Sequence, residues 1–122
     1  MSMAKTLIKP RFLDNEIFQA LRSGDLETFS RCVSELDHPV DFSNADFRGT
    51  DFRGADLTNV NIRGAYLRDA DLRGVDLRKV DLEGCSLHNA HIGGTYFADN
   101  ISAEEICMSV EYGTRVRVTP RN

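Results

Sequence analysis

The stretch ADFRGTDFRGADL, Ala45 to Leu57, restates itself every five residues. Neither common backbone explains that period. An α-helix turns about 100° per residue, which sets fifth neighbours roughly 140° apart. A flat strand sends fifth neighbours to opposite faces, because five is odd. A chain that keeps the same chemistry at this spacing has to change direction once per repeat.

The register runs from Val40 to Asp99, twelve pentads. Each has a large apolar centre: Phe42, Phe47, Phe52, Leu57, Ile62, Leu67, Leu72, Leu77, Leu82, Leu87, Ile92 and Phe97. Two residues before each centre stands a small side chain, as at Ala45, Thr50, Ala55, Ala65, Val75 and Cys85, and none of these 24 positions is charged. The last position of the pentad is Gly, Asn or Asp in eleven of twelve, from Asn44 and Gly49 to Gly94 and Asp99. Those residues tolerate a left-handed backbone at a turn. Lys79 is the exception and is expected to be slightly strained or to mark a different turn type.

Small residue and centre are two apart, so both point to one side of a short extended stretch. A turn follows. If each turn is a right angle, four pentads close one square coil, and successive coils stack at strand spacing, about 4.8 Å. Spacing alone supports "extended, then turn, always inward"; it fixes neither the number of sides nor the hand.

The pattern seen as ADFRG, ADLTN, ADLRG and VDLRK resembles the A(D/N)LxG repeat of the pentapeptide-repeat family, over residues 40–99. The resemblance implies an all-β solenoid, a right-handed quadrilateral β-helix with four pentads per coil. Twelve pentads then make three coils, a tower on the order of 14 Å tall.

The flanks read as caps for the open ends of that tower. In 1–39, Asp14 is expected to cap a helix carrying Ile17, Phe18 and Leu21 and ending near Gly24. Asp25 is expected to cap a second helix, with Leu26, Phe29, Val33 and Leu36 on one side, ended by Pro39. In 100–122, Ser102 and Glu105 form a capping box, with Ile101 and Ile106 as its staple. A helix of about Ala103 to Val110 should follow, stopped by Gly113. Arg115, Val116, Arg117 and Val118 then alternate like a half-buried strand ended by Pro120. Phe42, Phe47, Phe52 and Phe97 stand at the ends of the tower, where large rings can reach the caps or simply fill the core.

The formal net charge of −4 disfavours direct binding to nucleic acid or to an anionic membrane. MSMAKTLIKPRFL has no apolar run of signal-peptide length, and Cys32, Cys85 and Cys107 form no CxxC, so the reading is a cytoplasmic protein. Cys85 is expected to be a buried hydrophobe. No catalytic, cofactor or phosphate-binding motif is present. His88 and His91 fall outward on adjacent faces, and a third ligand such as Asp71 would be needed for a metal, so they are read as surface histidines.

Matching positions four pentads apart stack, so Arg48, Arg68 and His88 form one column and Arg53 and Arg73 another, flanked by Asp51 and Asp71. These columns are either a ledge for an acidic partner or a solvated surface of interleaved charge. Tyr66 and Tyr96 are candidate contact anchors, and Arg115 to Val118 is the candidate edge for a homodimer through a capped end. The expected function is a non-enzymatic protein–protein interaction or scaffold module. The alternative comes from the family resemblance: some longer members resemble duplex DNA and occupy the DNA site of type II topoisomerases such as DNA gyrase. Residues 40–99 carry ten acidic and seven basic groups, net −3, with no acidic stripe, which argues against it.

Overall fold

The computed structural model describes residues 16–120. The chain is helical over 16–23 (α1) and over Leu26–Ser34 (α2). Four short strands follow: β1 Val40–Asp41, β2 Val60–Asn61, β3 Asp76–Leu77 and β4 Tyr96–Phe97. Helix α3, Ala103–Tyr112, comes last. Pairing is parallel, and each partner lies four pentads on: Val40 with Val60, Asp46 with Tyr66, Asp51 with Asp71, Tyr66 with Ser86, Asp71 with His91, Asp76 with Tyr96. The repeat region is therefore of the repeat β-helix type, returning over itself every fourth pentad.

The inward pattern holds. Ten of the twelve centres, Phe42 to Leu87, are buried, and Ile92 and Phe97 are half-buried. The centres join the flanks in one core with Ile17, Leu21, Phe29, Ile101 and Val116. Residues that end pentads carry a positive φ at nine of twelve turns: Asn44, Asp69, Asn89 and six glycines. The three without it are Asn59, Lys79 and Asp99, which recur at every fourth pentad. One turn in four is thus of another kind, and Lys79 sits in it without left-handed strain. At Gly64 glycine answers a second need, since an added Cβ would run into the Asn44 side chain. Lys79→Gly is accordingly expected to cost about 0.4–1 kcal/mol through added chain entropy in the unfolded state. A rise in the urea midpoint on that substitution would show that the turn was strained after all.

Asp14 lies outside the described residues. The other end of α1 is as expected, with Gly24 at φ +83 and Asp25 N–H bonded to Ala20 O. Asp25 caps α2 by accepting from Thr28 N–H at 3.2 Å. Helix α2 stops at Ser34, earlier than Pro39 alone would require. Its last turn tightens, Leu36 N–H bonding Val33 O, and the residue before Pro39 is biased away from helix. Leu36 still packs on the core from outside the helix. Phe18 seats α1 on the repeats, its ring 5.5 Å from Phe42 and 5.0 Å from Phe47.

Ser102 caps α3 through Glu105 N–H at 3.1 Å, and Gly113 ends it at φ +76. The helix runs on past Val110 to Tyr112. Glu105 does not complete the capping box; its carboxylate instead takes Arg117 by Nε, Nη2 and backbone N–H. No helix among the described residues is long and apolar enough to cross a membrane.

Candidate partner-binding face

The Asp or Asn that stands just before eight of the twelve centres has a local duty that the period alone does not announce. In eight pentads its Oδ1 accepts the backbone N–H two residues on, from Asp41 with Ser43 to Asp81 with Glu83. This is the Asx turn, and it closes each bend. Where Arg stands two residues after Asp, its guanidinium grips the same carboxylate with Nε and Nη2: Arg48 on Asp46, Arg53 on Asp51, Arg73 on Asp71, Arg78 on Asp76. The Arg hydrogen bonds hold Asp46 and Asp71 well below the usual carboxylate range and Asp76 at about 2. The signal was present as D-x-R, two positions that share a face of an extended stretch.

The rule also shows where it fails. Position 66 is Tyr where the pattern has Asp, so Arg68 has no carboxylate two residues before it. Its ion-pair partner is Asp69 Oδ2, at a loose 3.7 Å. The Tyr66 ring instead carries the Arg115 guanidinium, 4.6 Å from the centroid. That group is fixed from above, Nη1 donating to Gly84 O at 2.7 Å. A hollow of about 360 Å³ opens here, lined by Arg48, Tyr66, Arg68, Ser86, His88 and Tyr112, with Gly113 at its edge. Among the described residues no carboxylate lines it. Tyr66 is 40% exposed and Tyr112 71%.

The structure thus groups Arg48, Arg68, Tyr66 and His88 and separates the other candidates from them. Arg53 and Arg73 lie on the next column, held by Asp51 and Asp71, and Arg53 Nε also reaches Asp71 at 3.3 Å. Tyr96 stands apart, under the Arg78 guanidinium at 5.1 Å. Tyr112 and Arg115 were missing from the expected contact face because only the chain's return places them beside Tyr66.

Arg115 to Val118 alternate in burial as expected, with Val116 fully buried, but they form no strand: the segment has a single antiparallel bridge, at Arg115. The segment's inner side is spent on the last repeats: Arg115 bridges Ser86 antiparallel, Gly84 N–H bonds Val116 O, and Val116 N–H bonds Cys85 O. Val118 N–H is taken by Glu83. Cys85 is buried, its thiol donating to Ile62 O at 3.1 Å and pushed up to about 11 by desolvation. His88 Nδ1 is buried against Gly113 with no hydrogen-bond partner among the described residues, and His91 is exposed. Among the described residues no three His, Cys, Asp or Glu side chains converge to hold a metal ion. A larger open groove of about 700 Å³ runs beside 78–83 and the tail. Three of its four cations are already paired, Arg63 with Asp81, Arg78 with Asp76 and Arg117 with Glu105.

The family described as pentapeptide repeats (8 copies) matches residues 40–74 and 64–99. No curated protein matches. A pentapeptide repeat protein, Rfr23, from the cyanobacterium Cyanothece 51142 is 30% identical over 49% of this chain and 41% of its own, with a TM-score of 0.45. A second, alr5209 from Nostoc Pcc 7120, is 27% identical over 52% of this chain and 70% of its own, with a TM-score of 0.22. The chain thus spans less than half the length of the first of these relatives. With twelve pentads in register and strand partners four pentads apart, residues 40–99 place this chain in the pentapeptide-repeat family.

Proposed function

We propose that this protein is a non-enzymatic, cytoplasmic interaction module: a right-handed quadrilateral β-helix of three coils that presents the Arg48–Tyr66–Arg68 face to an acidic segment of a protein partner. The loss of Asp at position 66 carries the reading. It leaves Arg68 loosely held beside Arg48, His88 and two exposed tyrosines, in a hollow that no carboxylate among the described residues lines. A guanidinium held only by one loose ion pair, with no two-toothed grip on its carboxylate, is the one best placed to take a carboxylate from outside, and tyrosine supplies contact area at small entropic cost. Arg48 is gripped by Asp46 as Arg53 is by Asp51 and Arg73 by Asp71, so Arg68 carries the face and Arg48 only borders it. The DNA-like alternative loses ground for the same reason: Asp46, Asp51, Asp71 and Asp76 each carry a guanidinium on their surface.

The experiment is capture from the native host with purified protein and with Arg68→Glu and Arg73→Glu. Arg68→Glu is expected to reduce retention of a partner about tenfold or more, a loss of at least about 1.4 kcal/mol, with far-UV circular dichroism unchanged. Arg73→Glu should leave retention intact. Equal retention by all three proteins would dismiss the face.

A further inference from the structure

Eight pentads close their bend in one way, with an Asp or Asn Oδ1 accepting the backbone N–H two residues on. In the column that begins at Asp46 this acceptor is lost twice. Tyr66 and Ser86 follow Asp46 there, joined by parallel bridges. The columns that begin at Asp51 and Asp56 lose it once each, at His91 and Tyr96. Arg48 N–H still has Asp46 Oδ1, at 3.1 Å. Arg68 N–H and His88 N–H, two residues after Tyr66 and Ser86, have no hydrogen-bond partner among the described residues.

The side chains change in the same sense. The hollow over this column is walled by donors: the Arg48 and Arg68 guanidinium groups, the His88 imidazole and the hydroxyls of Tyr66, Ser86 and Tyr112. Arg48 spends Nε and Nη2 on Asp46. The Arg68 guanidinium has only its loose pair with Asp69. The two acids nearest these arginines in sequence, Asp46 and Asp69, are thus each engaged already. Arg115, itself held by Gly84 O, covers the Tyr66 ring and fixes that wall.

We infer that the acidic group this face takes is a phosphate monoester on a side chain of the partner segment. The inference rests on the Arg68 face proposed above and names its ligand. The missing acceptors belong to two successive courses, about 4.8 Å apart. A carboxylate brings two oxygens and one charge, enough to replace one missing Asp. A phosphate monoester brings three terminal oxygens and about 1.5–2 negative charges at pH 7. It serves both courses together: one oxygen accepts from the Arg68 N–H and guanidinium, another from the His88 N–H and the Ser86 hydroxyl. The planar fork of Arg68 suits such an oxyanion. Tyr66 and Tyr112, both exposed, give the rest of the phosphorylated side chain an apolar surface to lie on.

A chemical-shift titration of the full chain at fixed ionic strength tests this. The probes are the N-acetyl amides of phosphoserine, phosphotyrosine and glutamate, and inorganic phosphate. At least one phosphorylated amide is expected to bind about tenfold or more tightly than both the glutamate amide and inorganic phosphate, and to move the Arg68 and His88 amide signals most. Tyr66→Asp should weaken that binding about tenfold or more. It removes no cation; it gives Arg68 the D-x-R grip of the neighbouring pentads, so the far-UV spectrum should stay unchanged. Arg73→Ala should leave binding intact. If the glutamate amide binds as well as the phosphorylated ones, and Arg68→Glu abolishes both, the phosphate inference falls and the acidic-partner face stands. Inorganic phosphate binding as tightly as the amides would make this a site for a free anion and overturn the inference. So would the absence of saturable binding, or binding that Tyr66→Asp leaves untouched.

Discussion

Leu72→Asp is expected to abolish folding, with loss of the far-UV signal and no cooperative transition in urea. Leu72 is fully buried, and it belongs to the middle courses of the repeat region. Directly before it Asp71 N–H bonds Thr50 O, and Leu72 N–H itself bonds His91 O, so this stretch is tied to the repeats on both sides. A carboxylate there has no guanidinium within the core and no route to water. Desolvation of an unpaired charge costs several kcal/mol, against a total stability of roughly 5–15 kcal/mol for a domain. Protonation lowers the cost but leaves a polar group without a partner. In a stack where each course contacts only its neighbours, damage in the middle separates both ends from each other. The same change at an outward site, Lys79→Asp, should leave a cooperative transition within about 0.5 kcal/mol of the parent. A folded Leu72→Asp protein would mean that the pentad centres do not line the interior.

How much of this was legible beforehand follows from what burial demands of a sequence. Inside and outside were readable because a narrow interior admits only apolar side chains at fixed spacing, and Phe42 through Leu87 report it directly. Turn chemistry was readable in part. Left-handed backbone favours Gly, Asn and Asp, but these residues also occupy ordinary turns, so Asn59 and Asp99 looked like Asn44 and were not. Lys79 was the true signal that one turn in four differs. Choice of partner was not readable. Glu105 had two acceptable donors, the Ser102 N–H and Arg117, and tertiary placement decided for Arg117. The D-x-R forks were within reach of pattern reasoning, and with them the meaning of Tyr66. Tyr112 and Arg115 were not, since nothing local says that the C-terminal segment returns to a face built so much earlier in the chain.

Phe47→Ala is expected to cost about 3–5 kcal/mol, read as a lowered urea midpoint at unchanged slope. Phe47 is fully buried, and its ring is the hub of the aromatic group at the N-terminal end. It lies 5.0 Å from Phe18 on α1, 5.6 Å from Phe42 and 5.3 Å from Phe52. Truncation therefore removes one ring's burial and three ring contacts, and leaves a cavity between the first pentads and their cap. Backbone bonds to Tyr66 O from Phe47 N–H and to Arg68 O from Gly49 N–H hold the surrounding wall in place, so collapse into the cavity is limited. Phe97 provides the contrast. It occupies the same pentad position but is half-buried, so its ring has less burial to lose. Phe97→Ala should cost clearly less than Phe47→Ala in the same urea titration. Equal costs would mean that the two rings are equally enclosed, contrary to their burial.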